Sequence, residues 1–182
     1  MENKNKRLNI LIKTAECALL AAVIAVSAQI AVPLPSGVPV TLQTFAVTLC
    51  ASIGGIVEGP AAVAVYILLG AFGVPVFSSF RGGIAVLIGP TGGFITGFIP
   101  LALMSGLRLK NKALNVIASI GGLLVCHLIG AVQYSLVTDT DFIKSLLLVC
   151  VPFLVKDVLS VILAMTLAVP VRKAIKKAVK SA

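Results

Sequence analysis

Apolar stretches, each about as long as a bilayer is thick, follow one another along most of the chain, and this constrains the fold more than any motif. A helix needs about 20 predominantly apolar residues to cross the hydrocarbon core. Residues 113–137 alone supply such a stretch without one Asp, Glu, Lys or Arg. Of the 182 residues, 59% are apolar and 12% are charged, against about 45–50% and about 25% in soluble domains. Too few polar side chains remain to cover a core of that size, so a water-soluble globular fold is excluded. Disorder is excluded as well, because it requires low hydrophobicity and high charge. A transmembrane β-barrel is built from alternating segments of about 10 residues, and runs such as 143–155 do not alternate. The sequence predicts an all-α polytopic membrane protein, multi-pass in a cell membrane and surrounded by lipid bilayer.

Turn residues and charges divide the chain into six spans of one membrane domain: 8–32, 40–57, 60–72, 94–107, 113–137 and 152–171. The first stops at the PLPSG run 33–37 and the second at Glu58, Gly59 and Pro60. Pro60 then opens the third at a first-turn position, where a missing N–H costs nothing. A Gly- and Pro-rich segment, 73–93, separates the third span from the fourth. The last apolar stretch, 142–171, would extend about 45 Å as one helix, too long for a core of about 30 Å. Pro152 breaks it, since proline removes a helical hydrogen bond and crowds the preceding turn. Residues 142–150 are then an interfacial helix on the outer side.

The net charge of +9, from fifteen Lys and Arg against six Asp and Glu, would raise the question of nucleic acid in a soluble protein. Here the excess sits near the ends and reports topology instead, with no nucleic-acid partner. Cytoplasmic loops carry the Lys/Arg excess. With the N-terminus inside, six spans put both termini in the cytoplasm. The inner face then collects Lys4, Lys6, Arg7, Lys13, Arg108, Lys110, Lys112, Arg172, Lys173, Lys176, Lys177 and Lys180. Arg81, Lys144 and Lys156 fall outside, near Asp139 and Asp141. Five or seven spans break this pattern. So does reading the first segment as a cleaved signal peptide, although its basic start and the small residues Ser27 and Ala28 resemble one. The tetrapeptide GVPV occurs at 37–40 and again at 73–76, both on the outer side. Such interrupted backbone is tolerated at membrane depth only when buried or lining a cavity, which points to a site near the outer face.

No catalytic constellation emerges. There is no G-K-[ST] phosphate loop, His127 is the one histidine, and no H-E-x-x-H occurs, so ATP hydrolysis by that route, a zinc protease and a His-based triad are all disfavoured. Cys17, Cys50, Cys126 and Cys150 lie in apolar runs without C-x-x-C spacing and read as packed thiols, with no metal site. A binding or transport role is favoured over an enzyme. Its strongest sign is Lys156 with Asp157, since each charge at a helix centre costs about 2.5–3.5 kcal/mol on insertion scales. Adjacent helical residues point about 100° apart, so no simple ion pair between these two is predicted. Asp157 facing the bundle interior would accept ligand N–H groups. The alternative is Lys156 snorkelling to headgroups and Asp157 satisfied by a neighbouring helix.

Arg81 stands before Gly82 and Gly83 in the long outer segment. A guanidinium holds carboxylates by two prongs, and glycines let backbone approach a ligand closely; a lipid-phosphate contact is the alternative for Arg81. Thr41 and Gln43 open the second span, where an amide could both donate and accept, or serve as interhelical glue. His127, Gln133 and Tyr134 read as packing and interhelical bonds. On the first span, Ala18 with Ala22 and Ala21 with Ala25 give small-x-x-x-small spacing, which admits a close-packed helix of this chain or of a partner subunit.

Read together, VPVTLQT at 38–44, LGAFGVPVF at 69–77, Gly82-Gly83, GPTGGF at 89–94, and Pro152 and Phe153 with Asp157 resemble the BioY-type substrate-binding (S) component of energy-coupling-factor (ECF) transporters, which binds biotin. The matches run in family order from the first span to the last. The resemblance implies a six-helix S-component bundle with a biotin pocket near the outer face, capped by residues 73–93. It further implies docking of the alanine motif, Ala18 and Ala22, onto a transmembrane coupling subunit that works with two ATPase subunits. Biotin is then the transported ligand, with no cofactor, and the membrane is a bacterial or archaeal cytoplasmic one.

The family often has lysine three residues after this aspartate and glycine just before it; here those positions are Ser160 and Lys156. Lys156 shares a face with Ser160, but the lean of helical side chains toward the N-terminus carries its amine outward. Biotin suits the residues chemically. A carboxylate and an amide meet a ureido ring, Arg81 or Lys156 meets the valerate carboxylate, and the absence of Trp disfavours a flat aromatic vitamin. An S component for another small vitamin and a membrane scaffold without a small ligand are the alternatives.

Overall fold

The structure is a computed structural model that describes residues 2–181, with side chains described for all of these except 2–5, 8–9, 176 and 178–181. Of the charges assigned to the inner face, Lys4, Lys176 and Lys180 lie outside the described side chains. Helix α1 (Glu2–Ala28) leads into a short antiparallel hairpin, β1 (Ala31–Val32) with β2 (Val40–Thr41), in the register Ala31 to Thr41 and Val32 to Val40. The helical stretch α2 (Gln43–Ala71) follows, then a 3-10 turn (Ser78–Phe80) and the short α3 (Ile84–Ile88). Helices α4 (Gly92–Ser105), α5 (Lys112–Thr138), α6 (Phe142–Val149) and α7 (Val151–Ser181) complete the chain.

Local chemistry sets these boundaries. The Thr41 hydroxyl accepts from Gln43 N where α2 begins, and Asn111 Oδ1 accepts from Ala113 N at the head of α5. Asp141 Oδ1 accepts from Ile143 N and Lys144 N to start α6. Asn111 and Asp141 are N-caps for donors that have no intrahelical partner, while Thr41 precedes the Leu42 cap of α2. The first helix ends at Ala28, short of the sequence boundary at 32, because residues 31–32 pair with 40–41 in the hairpin. The long C-terminal stretch divides at Cys150, between α6 and α7.

The second boundary moves as well. Sequence reasoning places the break between the second and third spans at 58–60; the structure places it at Gly55 (φ 87°, ψ −165°), with Pro60 inside the second limb. That backbone conformation is open essentially to glycine alone. The two limbs fold back on each other. A Cβ on Gly59 would come within 2.6 Å of Ala51 Cα beside the turn, and at the far end Gln43 bonds Tyr66. At the turn itself, a Cβ on Gly55 would stand 2.9 Å from Arg108 Nη2.

Four helical stretches are long and apolar enough to cross a membrane, Ile10–Ala28, Gln43–Ala71, Lys112–Thr138 and Val151–Ile175, and Gly92–Ser105 is a shorter apolar helix. The larger core cluster joins α1, α2, α4, α5 and α7 through Ile24, Val47, Tyr66, Leu101, Leu123 and Val161. A smaller one ties the hairpin loop to α5, α6 and α7 through Val38, Tyr134, Val149 and Phe153. Large apolar side chains such as Leu19, Leu68, Leu128, Leu136, Val155 and Leu159 face outward, as a lipid-facing surface requires. α4 lies against α5 closely enough that a Cβ on Gly97 would sit 2.8 Å from Cys126 Cα.

Gly55→Ala is expected to cost about 1–3 kcal/mol, because it adds strain at a positive φ and meets the Arg108 guanidinium. Gly121→Ala, at a helical position where the nearest atom would be 4.0 Å away, is expected to cost nothing. Thermal denaturation of the two variants in detergent checks the contrast.

Candidate functional site

At the hairpin end of the bundle, six parts of the chain converge on one cavity. The loop and strand of the hairpin bring Val38, Pro39 and Thr41, and the start of α2 brings Gln43 and Thr44. The segment between α2 and α4 brings Phe77, Ser78, Arg81 and Val86. Phe94, Ile95 and Phe98 come from α4, Leu123, Cys126 and His127 from α5, and Phe153, Lys156 and Asp157 from α7.

Asp157 is the electrostatic centre. It is 4% exposed, and both carboxylate oxygens are engaged. Oδ1 lies 2.5 Å from Lys156 Nζ, and Oδ2 lies 3.2 Å from His127 Nε2. The pairing of Lys156 with Asp157 corrects the expectation that neighbours on a helix would not meet. Four methylenes let the lysine bend around the helix despite the angular offset. The same amine donates to the Thr41 carbonyl at 2.8 Å, so its lean toward the start of α7 delivers it to the hairpin and not to the headgroups.

His127, which sequence reasoning assigned to packing, belongs to this site. Its signal was available: it is an ionisable side chain on an apolar span, and intramembrane ionisable groups face partners or cavities. Its ring stands edge-on to Phe94, 5.9 Å between centroids and 85° between planes. His127 Nδ1 and Ser78 Oγ are buried and have no hydrogen-bond partner among the described residues. Groups of this kind are costly to leave unpaired, and they are open to a ligand.

Gln43 is buried and held on both sides, its Oε1 accepting from the Thr41 hydroxyl at 3.0 Å and its Nε2 donating to Tyr66 Oη at 2.8 Å. Tyr66, not singled out from sequence, is fully buried and stacks edge-on against Phe77. Arg81 is exposed at the rim; its Nε donates to the Ser78 carbonyl at 3.2 Å. Gly82 and Gly83 do not line the cavity. A Cβ on Gly82 would strike the Val74 and Gly73 carbonyls at 2.6 and 2.8 Å, so its close approach is to the chain's own backbone, while Gly83 takes a positive φ at the head of α3.

Two glutamines pin the segment over the cavity. Gln29, in the turn just after α1, donates to the Val76 and Phe77 carbonyls and accepts from Phe80 N at 2.8 Å. Gln133 on α5 donates to the Leu87 and Gly89 carbonyls at 2.7 and 2.8 Å. Tyr134 fastens the hairpin loop through Ser36 O at 3.1 Å. The residual free volume is about 60 Å³, well below the roughly 300–1,000 Å³ of small-molecule sites. A ligand larger than a few waters therefore has to part these walls. On α1, Ala18 and Ala22 face outward while Ala21 and Ala28 are buried, so the outer alanines are not used for packing within the chain.

A carboxylate, an ammonium and an imidazole in an apolar chamber ringed by four phenylalanines suit the capture of a small molecule that is polar at one end. A family model described as the BioY family matches residues 1–177. The chain is 39% identical over 149 residues to "Biotin transporter BioY" of Thermotoga maritima, covering 80% of this chain and 87% of that protein. It is 40% identical over 143 residues to "Probable biotin transporter BioY" of Pyrococcus horikoshii, covering 79% and 85%. "Biotin transporter BioY2" of Lactococcus lactis is 40% identical over 150 residues, covering 80% and 82%. Among solved structures, the S-component for biotin from an ECF-type ABC transporter matches in fold with a TM-score of 0.80 at 23% identity, over 95% of both chains.

Lys156→Met is expected to destabilise the protein by about 1–3 kcal/mol, because it removes a partner of a buried carboxylate. Adding Asp157→Asn should recover part of that loss. Thermal denaturation of the single and double variants measures the coupling.

Proposed function

The chain belongs to the BioY family, and from that footing we propose that it is the biotin-binding S component of an ECF-type uptake transporter in the cell membrane. The observation that carries this reading is Asp157, buried and held by Lys156 and His127 inside a chamber walled by Phe77, Phe94, Phe98 and Phe153. Biotin's ureido ring presents two N–H donors and a carbonyl. The carboxylate of Asp157 accepts the donors, and the Lys156 ammonium, displaced from its pair, donates to the carbonyl. The aromatic and aliphatic walls take up the thioether ring and the alkyl chain.

Arg81 meets the valerate carboxylate. It stands at the rim, with only Nε in a hydrogen bond among the described residues, and its remaining guanidinium N–H groups form the fork that suits a carboxylate. Lys156 is already engaged deeper in the site. Gln43, backed by Tyr66 and Thr41, shapes the wall beside the ureido group.

The bundle crosses the membrane six times, with α2 counted twice because it folds back at Gly55. Both termini lie in the cytoplasm and the cavity opens outward. The charge pattern supports this orientation, since the loop between α4 and α5 and the end of α7 carry the Lys/Arg excess. Ala18 and Ala22 form the face that docks on a transmembrane coupling subunit, and two ATPase subunits supply the energy that this chain, lacking a phosphate loop, does not.

Equilibrium binding of labelled biotin to the purified protein tests the reading. Submicromolar binding is expected, and Asp157→Asn should weaken it on the order of 10–100-fold while Lys144→Ala leaves it unchanged. Binding no tighter than micromolar, or equal effects of the two variants, would count against it. Arg81→Ala should weaken biotin more than the neutral biotin amide; equal losses would remove Arg81 as the carboxylate anchor. Ala18→Leu with Ala22→Leu should leave biotin binding intact and abolish uptake driven by the coupling module, as measured in reconstituted vesicles.

A further inference from the structure

A second cavity, of about 390 Å³, opens at the opposite end of the bundle, beside the Gly55 turn and the far half of α7. Its walls come from α1 (Glu16), the first limb of α2 (Ile53), the loop between α4 and α5 (Arg108), and the far half of α7 (Val169, Arg172, Lys173). Three cations and one carboxylate thus converge on it. Among the described residues, no carboxylate oxygen lies within 4.0 Å of Arg108, Arg172 or Lys173, so the nearby Glu16 does not neutralise them.

The fold holds these charges in place. Ile53 lies just before the Gly55 turn, which deprives its carbonyl of an intrahelical partner. Arg108 Nη2 supplies one at 2.9 Å. Arg172 Nε donates to the Ala168 carbonyl at 3.3 Å. Each guanidinium therefore spends one N–H on backbone and retains others of its fixed fork. Both guanidinium groups line the one cavity, a juxtaposition of like charges that an anion between them would relieve.

We propose that this cavity binds the phosphate group of an anionic phospholipid from the leaflet at this end of the bundle. Arg108 and Arg172 grip the phosphate oxygens, since guanidinium geometry matches phosphate by two parallel bonds, and Lys173 adds a third positive charge. The occupant is a lipid and not a soluble anion because Ile53, Val169 and Ile175 line the same cavity. They give acyl or glycerol carbons an apolar wall beside the headgroup. Basic pockets between membrane helices recognise headgroups in this way.

Native mass spectrometry of the full chain in neutral detergent, with phosphatidylglycerol or phosphatidylcholine added, tests the site. Phosphatidylglycerol adducts should dominate. Arg108→Gln and Arg172→Gln should each lower its affinity about fivefold, while Lys144→Gln at the other end leaves it unchanged. Because Arg108 also holds the Gly55 turn, Arg172→Gln is the cleaner arm, and a melting curve of each variant separates lost binding from lost folding. Equal retention of the two lipids, or undiminished phosphatidylglycerol in a folded Arg172→Gln variant, overturns the proposal. Thermal stabilisation by inorganic phosphate as large as that by phosphatidylglycerol would overturn the lipid as occupant and leave a soluble anion in its place.

Discussion

A carboxylate inside a membrane bundle has to be compensated or it will not stay ionised and buried, and the architecture at the hairpin end is organised around that requirement. The partners that Asp157 needs come from more than one element. Lys156 comes from the same helix, His127 from α5, and the Thr41 carbonyl fixes the lysine from the hairpin side. Removing one of these leaves a charge that the low-dielectric surroundings penalise. The register of α5 against α7, and of the hairpin over both, therefore follows from one electrostatic condition as much as from apolar packing. In the proposed complex, the ureido group of biotin would substitute for partners that Asp157 otherwise finds within the protein.

The small free volume of the chamber gives this exchange a mechanical side. Ligand entry has to lift or shift the segment between α2 and α4, which Gln29 and Gln133 hold by its carbonyls at two places. Ser79 and Phe80, both at positive φ in that segment, are conformations that cost energy and persist only where surrounding contacts impose them. The Gly55 fold-back and the basic cavity beside it stand at the far end, so the two ends of the bundle answer to different chemistry.

Much of this was legible in the chain before any coordinates. The membrane class followed from composition, the candidacy of Asp157 and Lys156 from the cost of charge in lipid, and that of Arg81 from its place beside Gly82 and Gly83 in the outer segment. Other features were hidden for definable reasons. Gly55 looks like any glycine in a run, and Pro60 drew attention one turn too late, because only backbone dihedrals reveal which residue makes the turn. The Lys156–Asp157 pair was missed because angular offset around a helix ignores the reach of a long flexible side chain. His127 was assigned to packing because its partner lies thirty residues away in sequence, and no local pattern links them. Gly82 was read as a ligand contact since sequence cannot tell approach to a ligand from approach to the chain's own Val74 and Gly73 carbonyls.

The most direct test is a crystal structure of the chain with biotin bound. It should show the ureido nitrogens within about 2.7–3.2 Å of the Asp157 carboxylate, the Lys156 ammonium drawn off Asp157 onto the ureido oxygen, and the valerate carboxylate toward Arg81. Biotin bound elsewhere, with Asp157 still closed on Lys156 and His127 and the chamber unopened, would contradict it.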